Sequence, residues 1–409
     1  MKKKFDDKDI ILLSKKILTK YKLCNHCLGR FFAKIDKNLS NKERGELISK
    51  NLDDLHPVKV KNCFLCEGLF NEINHFIKII EEKLIEYEYE TFLIGTKVDE
   101  DIIDRENEII EEFNIEHSES IKSNLNREIG KILEKKLDKE VNFEKPTIMV
   151  VLDTSYDNIS LQISSLYVYG RYKKFKRDIP QTKWHCKICR GKGCKRCKYT
   201  GRLYQNSVEE LVSNNFLKKT KAEDESFHGA GREDIDVRML GNGRPFVLEI
   251  KNPKIRNLNL KEIKDIINKE NKSIIEIDNL KFSDREEIKR IKNSKFKKIY
   301  YVELKTDKSI NKEKLKKVAL SLRGKIVGQM TPSRVAHRRA DLIRNKYIYD
   351  CTIESIDGAK ASLKLETESG TYIKELISGD NGRTNPNISD MLGVPCQVNK
   401  LDVIFIKGE

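Results

Sequence analysis

Between His228 and Pro253 the chain reads HGAGREDIDVRMLGNGRPFVLEIKNP, which sets four acids and three arginines among turn-forming glycines. Asp234, kept ionised by neighbouring guanidiniums, has the chemistry of a carboxylate nucleophile or acid-base group. A second reading groups Asp236 with Glu249 and Lys251, the kind of cluster that holds a divalent ion and activates water in nucleases. A third is a solvated hairpin whose acids and arginines pair with one another, the usual fate of a charged strand. Both chemical readings suit a nucleic-acid substrate.

These groups need elements to hold them. Gly229 and Gly231 accept positive φ, so the backbone can turn sharply before Arg232, Glu233 and Asp234. From Asp234 onward Ile235, Val237 and Met239 alternate with Asp236 and Arg238, the period of a strand with its carboxylates on one face. Gly241-Asn242-Gly243 reads as a hairpin turn, with Phe246 to Ile250 as the returning strand. Leu260 to Glu270 and Ser283 to Lys292 read as charged helices; Lys298 to Leu304, Tyr347 to Ile356 and Ala361 to Glu366 read as strands. A tyrosine of the first of these strands faces either a pocket or the core. Between them, Thr331-Pro332-Ser333-Arg334-Val335-Ala336-His337-Arg338-Arg339 joins a proline-initiated turn to a basic cluster, suited to phosphate contact or simply solvated.

Three segments, GREDIDVRMLGNGRPF, QMTPSRVAHRRAD and GTYIKELISGDNGRT, resemble the archaeal and eukaryotic tRNA pseudouridine synthase family that modifies uridines 54 and 55 of the T loop. The resemblance implies an α+β chain whose C-terminal half is a pseudouridine synthase fold, a mixed or antiparallel sheet flanked by helices. It implies a reaction without a catalytic cofactor: the bond from ribose C1′ to N1 breaks, the uracil rotates, and C1′ joins C5. Asp234 becomes the essential carboxylate, chosen over Asp236 by the Gly-Arg-x-Asp register. Lys374, in Gly370-Thr371-Tyr372-Ile373-Lys374, keeps Asp234 anionic where other synthases carry Arg. Tyr300, in Lys298-Ile299-Tyr300, stacks on the flipped uracil while Tyr301 points away, and Arg232 holds the vacated position. Tyr372, Arg338 and Arg339 complete the substrate contacts, and Leu376 forms part of the apolar wall.

Eight of ten cysteines fall in four Cys-x-x-Cys pairs. Cys24, Cys27, Cys63 and Cys66 form two knuckles, each followed by a glycine that lets the backbone curl towards the sulfurs, and together they make one structural zinc site. His26 reads as a surface residue and not a ligand. Cys186, Cys189, Cys194 and Cys197 form a second, tighter set amid Arg190, Lys192, Lys195, Arg196 and Lys198, which could touch RNA backbone. It binds its own ion or exchanges partners with the first set, so one or two zincs are expected. Such sites are structural, since four cysteines leave no open position for catalysis. Cys351 and Cys396 read as buried apolar residues.

In the N-terminal half, residues 8 to 22 have a helical pattern and Thr91 to Gly95 a strand pattern, followed by an acidic helical stretch. Ile121, Leu125, Ile129, Leu133 and Leu137 line one helix face, and Thr147 to Leu152 and Ile159 to Val168 read as strands. This order, ending in YVYGRYKKFKRDIP, resembles a THUMP domain, an RNA-acceptor-binding module. The interleaved tyrosines and bases from Tyr167 to Arg177 could stack on and neutralise RNA, or form a solvated strand edge. The expected domains are 1–75 (helical, zinc-binding), 76–180 (THUMP-like), 181–205 (second knuckle and linker) and 206–409 (catalytic).

A chain of 409 residues exceeds one core. With 80 Lys plus Arg against 64 Asp plus Glu, a net charge of +16, it favours a polyanionic partner, here tRNA. No apolar run reaches the roughly 18 residues of a membrane span. A cytoplasmic monomer is expected. Beside the isomerase, a Mg²⁺-dependent RNA nuclease built on Asp236, Glu249 and Lys251, and a non-catalytic zinc and THUMP RNA-binding protein, remain open.

Overall fold

The computed structural model describes residues 7–35, 38–338 and 340–408. The chain divides after Ser164 into two compact units.

The first unit contains helices α1 (Lys8–Lys20), α2 (Asn25–Arg30), α3 (Asn41–Ser49), α4 (Ile73–Leu84), α5 (Glu100–Glu112) and α6 (Ile121–Leu137). Its strands β1 (Thr91–Lys97), β2 (Glu140–Val141), β3 (Ile148–Asp153) and β4 (Asn158–Ile163) form a sheet in the order β2-β1-β3-β4. The 3.6-residue period of α6 puts Ile121, Leu125, Ile129 and Leu133 wholly inside, against β1. Ser120 caps its N-terminus by accepting from the Ser123 amide. The run Ile159 to Val168, expected as one strand, breaks at Ser164-Ser165: β4 closes the first sheet, and the next strand belongs to the second unit. The strand placed with the THUMP-like region thus lies beyond it.

The second unit is built on β5 (Leu166–Lys174), β6 (Asp224–Gly229), β7 (Arg238–Lys251), β8 (Ile275–Ser283), β9 (Lys297–Thr306), β10 (Lys325–Gln329), β11 (Arg344–Asp357), β12 (Lys360–Thr367), β13 (Thr384–Asn385) and β14 (Cys396–Lys407). Their order is β13-β10-β11-β12-β9-β14-β7-β5-β8, with β6 paired to β7. The β14–β7 pair is parallel, making the sheet mixed. Helices α7 (Val208–Thr220), α8 (Leu260–Glu270), α9 (Arg285–Asn293), α10 (Lys312–Leu322), α11 (Ile373–Ser378) and α12 (Ile388–Leu392) accompany it.

The expected hairpin at Gly241-Asn242-Gly243 does not form. Instead β7 runs on through these residues with β5 beside it at both ends, while its neighbour on the other side changes from β14 (at Arg238 and Met239) to β6 (at Phe246 to Lys251). Gly241 (φ +60°) and Gly243 (φ +71°) absorb the bend, and a Cβ on Gly241 would sit 1.9 Å from the Ile404 carbonyl of β14. Nor does Asp234 open a strand, because β7 begins at Arg238 and residues 230–237 form a loop.

The basic and aromatic stretch after Tyr167 is an interior strand. Tyr172 and Lys174 are fully buried and Arg171 nearly so, which removes them from any RNA-facing edge.

Candidate active site

The 230–237 loop is held from beneath. Lys174 Nζ donates to the carbonyls of Ile179 (2.9 Å), Asp234 (3.3 Å) and Ile235 (3.2 Å). Arg177 donates to the Asp236 carbonyl at 2.6 Å and reaches Asp402, which also holds Arg238 in a two-pronged pair. Gly231, at φ +80°, starts the turn. Behind it Glu233 is buried, with its carboxylate 2.9 Å from Arg244 Nε and accepting from the Tyr172 hydroxyl at 2.9 and 3.0 Å. Arg244 also donates to the Ala230 carbonyl, and Gln181 bridges the Tyr172 hydroxyl to the Gly231 carbonyl.

With Glu233 turned inward, Asp234 faces a cavity of about 770 Å³. Its two oxygens lie 3.1 Å from Arg334 and 3.3 Å from Lys374. Lys374 also grips both oxygens of Asp236 at 2.8 Å. Burial alone would raise the Asp236 carboxyl, but Lys374 brings it below the usual range. Arg334 is fixed in turn by Glu375 at 2.8 Å.

One face of β9 supplies the opposite wall. Lys298 and Tyr300, two residues apart, both line the cavity and are almost wholly buried, whereas Tyr301 turns away and donates to the Ser362 hydroxyl. Burial pushes the Tyr300 phenol up to about 12 and, with Arg244 close by, pulls the Lys298 ammonium down to about 7. Tyr372 lines the cavity, its backbone clamped by the Gln329 amide at 2.8 and 2.9 Å. Arg232 stands at the cavity with its guanidinium 5.0 Å from the ring centre of Trp184.

The structure therefore gathers Arg232, Asp234, Tyr300, Tyr372 and Lys374. Leu376 is different: it is fully buried in the core and lies off the cavity, whose apolar wall comes from Val237, Val335, Ile373, Leu401 and Val403. Arg339 and the side chain of Arg338 lie outside the described residues. Sequence reading missed Trp184, Glu233, Arg244, Arg344 and Lys346 as contributors, and it assigned Arg334 to phosphate contact where the structure sets it beside Asp234. Arg334 had a signal, since it is the first cation after the proline turn.

The proposed nuclease cluster is scattered. Glu249 meets His228 at 3.0 Å, Lys251 meets Asp224 at 2.8 Å, and Asp236 belongs to Lys374. Among the described residues, the groups of three or more His, Cys, Asp or Glu side chains that converge are the two cysteine quartets, each with all sulfurs within 4.8 Å of one another. Zn–S bonds of about 2.3 Å in a tetrahedron put sulfurs about 3.8 Å apart. The observed 3.8 Å for Cys24–Cys66 and Cys189–Cys197, and 3.9 Å for Cys186–Cys194, fit such an ion, and each quartet closes on itself without exchanging partners. Of the two glycines expected to curl towards the sulfurs, Gly68 does (φ +92°), while Gly29 sits in α2, where a Cβ would strike the Asn41 carbonyl. His26 stacks on Phe70 at 4.7 Å and is half-buried, which lowers its pKa to about 4.

Comparison with known proteins agrees with this architecture. The family model described as Pus10, C-terminal, matches residues 167–407, and Pus10 THUMP domain, archaeal, matches 76–153. A protein of Methanocaldococcus jannaschii named tRNA pseudouridine synthase Pus10 is 40% identical over 97% of this chain and 94% of its own. Its namesake in Methanothermobacter marburgensis is 40% identical over 95% and 96%, and that of Methanothrix thermoacetophila 35% over 98% and 95%. With the C-terminal family model covering more than half of its length and relatives matched nearly end to end, the chain belongs to the Pus10 family of tRNA pseudouridine synthases.

Proposed function

We propose that this chain isomerises uridines 54 and 55 of the tRNA T loop to pseudouridine, with Asp234 as the essential carboxylate. The observation that carries the reading is the placement of Asp234 in a cation-lined cavity, between Lys374 and Arg334 and in one lining with the buried ring of Tyr300. At about 770 Å³ the cavity lies in the range of pockets that enclose a small organic ligand, so it suits a single flipped nucleotide and not a stacked duplex.

In this reading the two cations pair with Asp234 and aim it at the sugar and base. Tyr300, its phenol pushed up to about 12 by burial, presents a neutral ring for stacking on the base. Arg232 and Tyr372 line the same cavity, Arg232 holding the position that the flipped uridine vacates, and Arg344 and Lys346 take the flanking phosphates. Arg338 and Arg339 are proposed to extend that contact. As C1′ leaves N1 and joins C5, the C5 proton departs and N1 regains one, so the RNA keeps its mass.

Residues 76–153, matched by the THUMP model, are proposed to bind the tRNA away from the T loop. Each cysteine quartet is proposed to hold one structural zinc: Cys24, Cys27, Cys63 and Cys66 in the first unit, and Cys186, Cys189, Cys194 and Cys197 in the second. The ion's contribution is to close its fold. A monomer in the cytoplasm is proposed, consistent with thiols arranged for metal; size-exclusion chromatography tests the first point.

The test incubates the zinc-loaded protein with an unmodified tRNA transcript, with and without added Mg²⁺, and maps carbodiimide-dependent reverse-transcription stops. Stops at 54 and 55 that vanish with Asp234→Ala are expected. A Mg²⁺-dependent shortening of the RNA, or stops that survive the substitution, overturns the assignment.

A further inference from the structure

The second cysteine knuckle carries more charge than a zinc fold needs. From Thr182 to Gln205 the chain has eight lysines and arginines and no carboxylate. Lys183 and Arg202 are paired, to Glu225 and Glu210. The other six, Lys187, Arg190, Lys192, Lys195, Arg196 and Lys198, are all exposed. Elsewhere in this unit exposed cations are repeatedly matched, as Lys219 is by Glu262 and Lys289 by Glu286. A thiolate quartet around a divalent ion contributes only about two net negative charges. A compact patch of like charge costs stability through self-repulsion unless a polyanion meets it.

Two exposed apolar side chains sit within the same patch. Ile188 is 61% and Tyr199 is 71% exposed, and Tyr199 directly follows Lys198. An exposed aromatic among cations is the composition of a surface that both neutralises phosphates and stacks on a base or sugar.

The knuckle is also joined physically to the cavity. Its base is closed by the His185–Arg202 bridge, by the Cys186 amide on the Gly201 carbonyl (2.7 Å) and by the Leu203 amide on the Trp184 carbonyl (2.9 Å). Trp184, packed edge-on against Tyr204 at 5.7 Å, lines the cavity and carries Arg232 on its face. The patch therefore begins where the cavity wall ends.

We propose that the Cys186–Cys197 knuckle is a phosphate-binding surface for the RNA strand that leads away from the flipped uridine. The inference rests on the reading of the cavity as a uridine site. It names a further part of the enzyme that grips the substrate, with the backbone of the tRNA as its ligand.

The experiment compares the full-length zinc-loaded protein with the variant Arg190→Gln/Lys192→Gln/Lys195→Gln/Arg196→Gln. Zinc content and circular dichroism verify that the knuckle is intact. Binding of an unmodified tRNA transcript is measured against salt by anisotropy, and quenching of Trp184, the chain's only tryptophan, reports RNA at the cavity mouth. The slope of log K against log salt is expected to become shallower by about 0.7–0.9 for each phosphate that the variant no longer neutralises, with the fall in turnover borne by KM more than by kcat. Arg190→Lys/Arg196→Lys, which keeps the charge, is expected to retain the wild-type slope. An unchanged slope and KM in the four-site variant overturns the proposal, as does an acidic peptide that occupies the patch without raising KM. If the wild-type protein makes no pseudouridine, the cavity reading fails while the salt slope still decides the patch.

Discussion

The two sides of one short loop make opposite use of the same chemistry. Behind it, Glu233 is packed among Arg244, Tyr172 and Lys174, and its side chain is only 1% exposed. In front, Asp234 keeps 37% of its side chain exposed and shares Lys374 with Asp236. A buried pair fixes a backbone, because removing one partner strands the other's charge, whereas a half-open carboxylate between two cations is free to meet a substrate. The adjacent acids therefore differ in kind, Glu233 a buried anchor of the loop and Asp234 an open carboxylate, the one proposed as the reagent.

That contrast is most directly broken at Asp234. Asp234→Ala is expected to lower kcat by about 10⁴-fold or more while tRNA affinity and melting temperature stay near wild type, measured by single-turnover assay, filter binding and calorimetry. Glu233→Gln is expected to do the reverse. It leaves Arg244 and Lys174 buried without their counter-charge, so it should cost about 3–5 kcal/mol in urea unfolding and reduce activity only through the displaced loop. If Glu233→Gln kept full stability while abolishing turnover, the roles would have to be exchanged.

Lys298 sharpens the picture through pH. Its folded pKa, about 7, lies below the ordinary lysine value, so between pH 7 and 10 the unfolded chain binds the extra proton and stability from this group rises with pH. Lys298→Met is expected to remove that dependence, a difference of about 1.4 kcal/mol per pH unit between variant and wild type across the window. Parallel unfolding curves at every pH would refute the buried-amine account.

Asp236→Asn should have the smallest effect. Lys374 loses one of its two carboxylates but keeps Asp234, so kcat/KM is expected to fall by no more than about tenfold. A loss equal to that of Asp234→Ala would make Asp236 the reagent.

The cysteine quartets repeat the contrast on a larger scale. Cys24, Cys27, Cys63 and Cys66 are buried in the core of the first unit, while three of the second set are only partly covered. Spacing disclosed both quartets, but the burial that separates a core centre from an exposed, basic knuckle came from the packing around them.

Much of the site was legible because its signals are local. Lys298-Ile299-Tyr300 shows in its spacing which residues share a strand face, and the 3.6 period of α6 shows its buried stripe. The hairpin at Gly241-Asn242-Gly243 was misread because two glycines flanking Asn are equally the mark of a turn and of a bulge. Only the crossing of β14 at Ile404 selects the bulge. Lys174 reads as an RNA contact in sequence, but its strand is covered on both edges by β7 and β8 and the side chain is fully buried. Leu376 fell off the cavity wall because α11 turns that face to the core.

By itself, then, the sequence determined the charge, the four Cys-x-x-Cys pairs, the periodic elements and the Gly-Arg-x-Asp register, all of which depend on residues close together along the chain. The tertiary structure decided which carboxylate is sealed and which is open, and that Arg334 and Lys374 converge on Asp234 from 100 and 140 residues away. Those choices depend on solvent exclusion and on distances between remote segments, which exist only once the sheet has brought them together.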